Sequence, residues 1–132
     1  MAMIRGIAEI VLSVHDLDAS LRFYRDTLGL TLVSEPEFRP VFLRAGEPAM
    51  TVPQLIVLVP LPSGTPPFPT AKPGRTLHHL AFEVAPVDFD ALRDHLAAQG
   101  LSIRTGQHPV IPSRTMYVDD PDGNEVEFIA GM

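Results

Sequence analysis

Cysteine is absent from this chain of 132 residues. That one absence removes disulfides, thiolate nucleophiles, zinc ribbons and iron–sulfur clusters together. Long apolar runs are missing as well. The longest, Leu55 to Pro62, falls far short of the roughly 20 residues that cross a bilayer. Positive charge is in deficit: Lys+Arg 10 against Asp+Glu 16 leaves a net charge of −6, which repels nucleic acid and anionic membrane surfaces. Residues 1–14 carry one arginine and place Glu9 inside their apolar stretch, unlike a secretory signal. What is present suffices for a packed core, with 45% hydrophobic and 20% charged residues in a chain about one domain long. The expectation is a soluble, cytoplasmic, small globular protein with no nucleic-acid or membrane partner.

The chain repeats itself. Glu9-Ile-Val-Leu-Ser-Val14 lines up with His79-Leu-Ala-Phe-Glu-Val84, 70 residues on, and the same offset carries Asp18 onto Asp88 and Val57 onto Glu127. Gly29 falls one residue short of Gly100. Two copies are too few for a solenoid and suit a two-fold pseudo-symmetric domain. Each copy opens with a run of alternating apolar residues, Ile7–Val14 and Leu77–Val84, which predicts a strand. A helix follows each. Asp16 or Asp18 caps the first and Gly29 ends it; Asp88 or Asp90 opens the second and Gly100 closes it. Further strands are predicted at Leu30–Ser34, Val41–Arg44 and Gln54–Val59, then at Leu101–Gly106, Thr115–Val118 and Glu125–Ala130.

The expected fold class is therefore α+β: two tandem βαβββ modules forming curved mixed sheets around a central cavity. Residues 1–59 and 77–132 are the modules of a single domain. Pro60–Thr76, holding six of the 14 prolines, is a stiff linker that lacks the amide hydrogens a sheet ladder needs.

Among the five histidines, His15 and His95 read as solvated polar residues of a loop and a helix. His78 and His79 are neighbours, and alternation along a strand lets only one of them face a cavity. The repeat then selects four equivalent slots: Glu9 with His79, and Val57 with Glu127. Three of the four hold residue types that bind divalent metals. A carboxylate among Ile7, Ile10, Val11 and Leu12 is costly to bury unpaired, so Glu9 sits either at a solvated rim or against a cation. Downstream, Asp120-Pro-Asp-Gly-Asn124 is a tight turn that sets Tyr117 and Glu127 on adjacent antiparallel strands. Tyr117 shares parity with Thr115, so Arg114 points the other way. A phenol or a neutral imidazole, here Tyr117 or His108, can donate a hydrogen bond to a bound oxygen.

These residues resemble the vicinal oxygen chelate superfamily, which includes glyoxalase I, fosfomycin-resistance enzymes, bleomycin-binding proteins and type I extradiol dioxygenases. The resemblance runs through Ile10–Tyr24, Leu28-Gly-Leu30, His79–Val84 and Asp120–Asn124. It implies metal slots at Glu9, Val57, His79 and Glu127, so Glu9, His79 and Glu127 are the expected ligands. The stretch from Gly106 to Glu127 looks like the extradiol dioxygenase pattern, in which Tyr117 and His108 would contact a bound diol. Likeness of this kind implies a divalent ion, Fe2+ or Mn2+ first, with Zn2+, Ni2+ or Mg2+ also compatible. It also implies a small-molecule substrate and a homodimer.

Two departures stand out. Glu9 replaces the second histidine of the facial triad of non-haem iron oxygenases. Leu61–Thr76, where such dioxygenases usually place an acid–base histidine, contains none. The leading expectation is an extradiol dioxygenase-like oxidoreductase. The alternatives are a glyoxalase-like lyase or isomerase, a fosfomycin-resistance-like transferase, and a metal-free, bleomycin-resistance-like sequestering protein lined by Phe42, Phe82 and Tyr117.

Overall fold

A computed structural model describes residues 3–132. Two compact units result, one ending at Pro66 and the other spanning Pro67–Met132. Among the described residues, no helix is long and apolar enough to cross a membrane.

In the first unit, strand β1 (Glu9–Val14) leads into helix α1 (Leu17–Leu21). Asp16 caps that helix, its carboxylate accepting from the Ala19 amide at 3.0 Å. The helix then widens into a π-helical turn, Arg22–Thr27, where the Leu28 amide reaches back five residues to the Phe23 carbonyl at 2.9 Å. Gly29, at φ +83°, turns the chain out of it. Strands β2 (Thr31–Leu32), β3 (Val41–Arg44) and β4 (Leu55–Pro60) complete a four-stranded sheet of order β1-β4-β3-β2. Only β1 and β4 run parallel. Leu12, Val14, Val41, Leu43, Ile56 and Leu58 fall on one face and are buried, and α1 lies against β4. Each such side chain contributes about 1.5–3 kcal/mol relative to exposure.

The second unit repeats this plan. Strand β5 (Leu80–Glu83), a short 3-10 turn (Pro86–Asp88) and helix α2 (Phe89–Ala98) come first. Strands β6 (Arg104–Gly106), β7 (Ser113–Asp119) and β8 (Glu125–Gly131) follow, and the order is β5-β8-β7-β6, with β5 and β8 parallel. Asp88 stands at the start of α2 without a side-chain cap bond. Leu80, Met116, Val118, Val126, Phe128 and Ala130 form the buried face. Arg114, on this face, stacks over the Phe89 ring at 4.3 Å and pairs with Asp90 at 2.8 Å, joining the sheet to the start of α2.

The expected α+β class and the two βαβββ modules are both observed, with boundaries that shift. Expected strand Ile7–Val14 begins only at Glu9, and Ile7 is 67% exposed. The 70-residue offset survives in the ladder itself. Val11 pairs with Val57, and its equivalent Ala81 pairs with Glu127. Pro60 takes the last position of β4 opposite Val14, where a missing amide hydrogen is tolerated.

Candidate metal centre

Register decides which side chains share a face. On β8, Glu127 stands opposite Ala81 of β5 and Tyr117 of β7. Thr115 and Glu125 lie two residues away on the same face, while Arg114 alternates to the other, as the parity of the sequence requires. Phe82 also falls on the opposite face. It stacks on Phe128 with ring centroids 6.2 Å apart, so the expectation that it lines a ligand site beside Tyr117 is wrong. The pleat places it on the face of Leu80 and Phe128.

Glu127 is 2% exposed, an unusual place for a carboxylate. Tyr117 donates its hydroxyl hydrogen to Oε2 at 3.0 Å. His79 Nε2 stands 3.1 Å from Oε1. Burial is the chief cause that raises the Tyr117 phenol above its ordinary value, and the hydrogen bond to Glu127 adds to it while one to Thr115 opposes it. The phenol is thus a donor throughout the neutral range. Gly106 makes room for it: a Cβ at that position would lie 3.0 Å from Tyr117 Cε2. The tyrosine therefore holds one oxygen of the carboxylate and leaves the other to the imidazole.

The two neighbouring histidines behave differently from the expectation. His78 and His79 both precede β5, which begins at Leu80, so strand alternation does not separate them. Their Nδ1 atoms lie 2.8 Å apart. With Glu125 they form a cluster whose ligand atoms all fall within 4.8 Å of one another. Glu125 is already engaged, accepting from Lys72 Nζ at 3.0 Å and from Arg104 Nη2 at 2.9 Å. Burial alone would raise its carboxyl, but those two cations outweigh it and hold the group below the usual range. Lys72 also donates to the His78 carbonyl. Sequence reading passed over His78 and Glu125. The dipeptide itself is the available signal, just ahead of a strand that begins at Leu80, three residues after the expected Leu77.

Asp120 anchors the turn that delivers Glu127. Its carboxylate accepts from the amides of Asp122 and Asn124 and from Asn124 Nδ2, at 2.8–2.9 Å, and Gly123 takes φ +79°. Arg75 ties the preceding segment to the same turn through Asn124 Oδ1 at 2.6 Å.

The remaining expected residues stand as follows. His108 closes its own loop, Nδ1 accepting from the amides of Val110 and Ile111 at 3.1 and 2.9 Å. Its hydrogen is thereby fixed on Nε2. Glu9 opens β1 and is exposed, the solvated placement weighed in the sequence. It shares a face with Val57, which is 2% exposed and pairs with Phe42. A cavity of about 440 Å³ in the first unit, with Arg5, Ile7, Met50, Val52 and Gln54 in its wall, contains none of the expected site residues.

The profile of the Glyoxalase/Bleomycin resistance protein/Dioxygenase superfamily matches residues 6–128. The chain belongs to this superfamily. It is 31% identical to the uncharacterized protein YaeR of Escherichia coli (strain K12), over 97% of this chain and 98% of that one. It is 28% identical to the metallothiol transferase FosB of Staphylococcus haemolyticus, covering 98% and 86%. Among solved structures, the glyoxylase/bleomycin resistance protein/dioxygenase domain from Frankia sp. EAN1pec superposes with a TM-score of 0.74 at 27% identity, over 98% and 99% of the two chains.

Of the expected donors, His79 and Glu127 are spaced to take adjacent positions on the divalent ion that the superfamily resemblance implies. Adjacent ligands of an ion with bonds of about 2.1 Å at right angles lie about 3.0 Å apart. His79 Nε2 and Glu127 Oε1 have that spacing. A buried carboxylate with one oxygen fixed by a phenol is also an oriented ligand rather than a floppy one.

Proposed function

We propose that this chain is a metal-dependent enzyme that holds two neighbouring oxygens of a small substrate and catalyses group transfer or isomerisation, in the manner of a fosfomycin-resistance transferase or a glyoxalase. The observation that carries this reading is the buried Glu127 carboxylate, set between the Tyr117 hydroxyl and His79 Nε2. His79 and Glu127 are the ligands in this proposal. Glu9, from the same chain or a second copy, is the third, on the ground that it occupies the repeat position of His79. A divalent ion bound there supplies Lewis acidity and a template for two oxygens.

The chain's own residues do the rest. Tyr117 keeps Oε2 of Glu127 occupied, which directs Oε1 toward His79. His108 offers an Nε2 hydrogen to a substrate oxygen, its tautomer set by the Val110 and Ile111 amides. Two carboxylates with one imidazole form an oxygen-rich set that suits Mn2+, Mg2+ or Zn2+, and it lacks the second histidine of an iron facial triad. Similarity over nearly the whole chain to a metallothiol transferase supports transfer over ring cleavage. The homodimer and the cytoplasmic setting belong to the same proposal.

The test is calorimetric titration of chelator-treated protein with Mn2+ and Zn2+. One ion per chain is expected, with affinity falling at least about 100-fold in Glu127→Gln. Absence of stoichiometric binding to the unaltered protein overturns the reading. Aromatic-ligand binding that is unchanged in excess chelator would instead establish a sequestering protein. Oxygen uptake on adding a catechol would restore the dioxygenase.

A further inference from the structure

His78 stands outside the proposed ligand set, yet its ring touches that set directly. His78 Nδ1 and His79 Nδ1 are 2.8 Å apart, and the rings meet edge to face at 5.0 Å and 72°. Two imidazole nitrogens that close need one hydrogen between them, because two lone pairs repel and two N–H groups collide. On its other side, His79 Nε2 faces a carboxylate oxygen that can only accept. With one hydrogen per ring and no ion, His79 keeps its hydrogen on Nε2 for Glu127. His78 then donates its own Nδ1 hydrogen to the bare Nδ1 of His79.

An ion taken up by His79 Nε2 requires the lone pair on that nitrogen. The His79 hydrogen must then sit on Nδ1, pointing at His78. His78 Nδ1 must be bare to receive it and carries its hydrogen on Nε2. With one hydrogen per ring, the exchange is a paired tautomer shift.

We infer that His78 is a positioning residue for the metal centre: through the Nδ1–Nδ1 contact it orients the His79 ring and sets which nitrogen of that ring is free to bind. Metal-bound histidines commonly donate their second nitrogen to such a partner. The backbone is built to hold this one. Lys72 binds the His78 carbonyl and Glu125 Oε1, and Arg104 grips the other oxygen of that glutamate. The His78–His79 step is thus pinned to β8 from outside the ring contact. This inference rests on the reading of His79 and Glu127 as ligands.

The test compares the full chain with His78→Leu, His78→Asn and Glu127→Gln. Mn2+ and Zn2+ affinities are measured by calorimetry, and the histidine tautomers by 15N NMR without metal and with Zn2+. His78→Leu is expected to weaken binding about 10- to 100-fold. His78→Asn, whose side-chain oxygen accepts a hydrogen bond, should recover most of that loss. NMR should show the His79 hydrogen on Nε2 without metal and on Nδ1 with Zn2+. If His78→Leu binds as tightly as the parent while Glu127→Gln does not, the inference fails and the site reading stands. If His78→Asn is no better than His78→Leu, or if His79 carries its hydrogen on Nδ1 before metal is added, it also fails. If the parent binds neither ion, both fall together.

Discussion

Replacing Tyr117 with phenylalanine deletes a single oxygen and leaves the ring in place beside Gly106. The lost group is the donor that holds Glu127 Oε2 at 3.0 Å on a side chain 2% exposed to solvent. Water has poor access to that oxygen, so nothing replaces the bond. A hydrogen bond to a charged, buried acceptor contributes about 1.5–3 kcal/mol, more than the typical neutral bond. In a chain of this length 1 kcal/mol moves the melting temperature by roughly 3–5 °C, which gives an expected drop of roughly 5–15 °C. Urea unfolding followed by circular dichroism, with chelator present, isolates the effect from metal binding. A second signature comes from pH. The phenol is raised in the folded chain, chiefly by burial, so its linked stability is complete below about pH 10 and is lost as pH climbs through the raised value. That part of the alkaline decline should vanish in Tyr117→Phe. Unfolding midpoints that match the parent within about 0.5 kcal/mol would refute the idea that the tyrosine secures the carboxylate.

Two other predictions concern the same corner of the fold. Gly106→Ala places a methyl 3.0 Å from Tyr117 Cε2 and 3.4 Å from its hydroxyl; the ring must yield, at about 1–2 kcal/mol, and combining it with Tyr117→Phe should cost less than the two separately, as a double-mutant cycle in urea would show. Asp120→Ala strips three hydrogen bonds from a turn whose Asn124 is 7% exposed; about 3 kcal/mol should be lost, and amide exchange at Asn124 should accelerate, whereas unchanged exchange there would show the turn to be self-supporting.

Architecture was legible because duplication writes itself twice. Equal spacing of Glu9, His79, Val57 and Glu127 anticipated the ladder in which Val11 faces Val57 and Ala81 faces Glu127. Parity along β7 and β8 then brought Tyr117 to Glu127, as expected. What the pattern missed lies where periodic structure stops. His78 and His79 precede their strand, so their rings obey loop geometry rather than the pleat. Lys72 and Arg104 converge on Glu125 from a proline-rich turn and from β6, two strands away, a meeting that no local spacing encodes. Phe82 shares parity with Leu80, which puts it on the face opposite Tyr117 and Glu127.

The rung that pairs Tyr117 with Glu127 has a twin, Phe42 with Val57, at the corresponding place in the first unit. One copy is a phenol against an acid; the other is a benzene ring against a branched alkane. Evolution has left an internal control within a single polypeptide. Transplanting the greasy version into the second sheet, as Tyr117→Phe with Glu127→Val, asks how much robustness is surrendered to keep an ionisable group indoors.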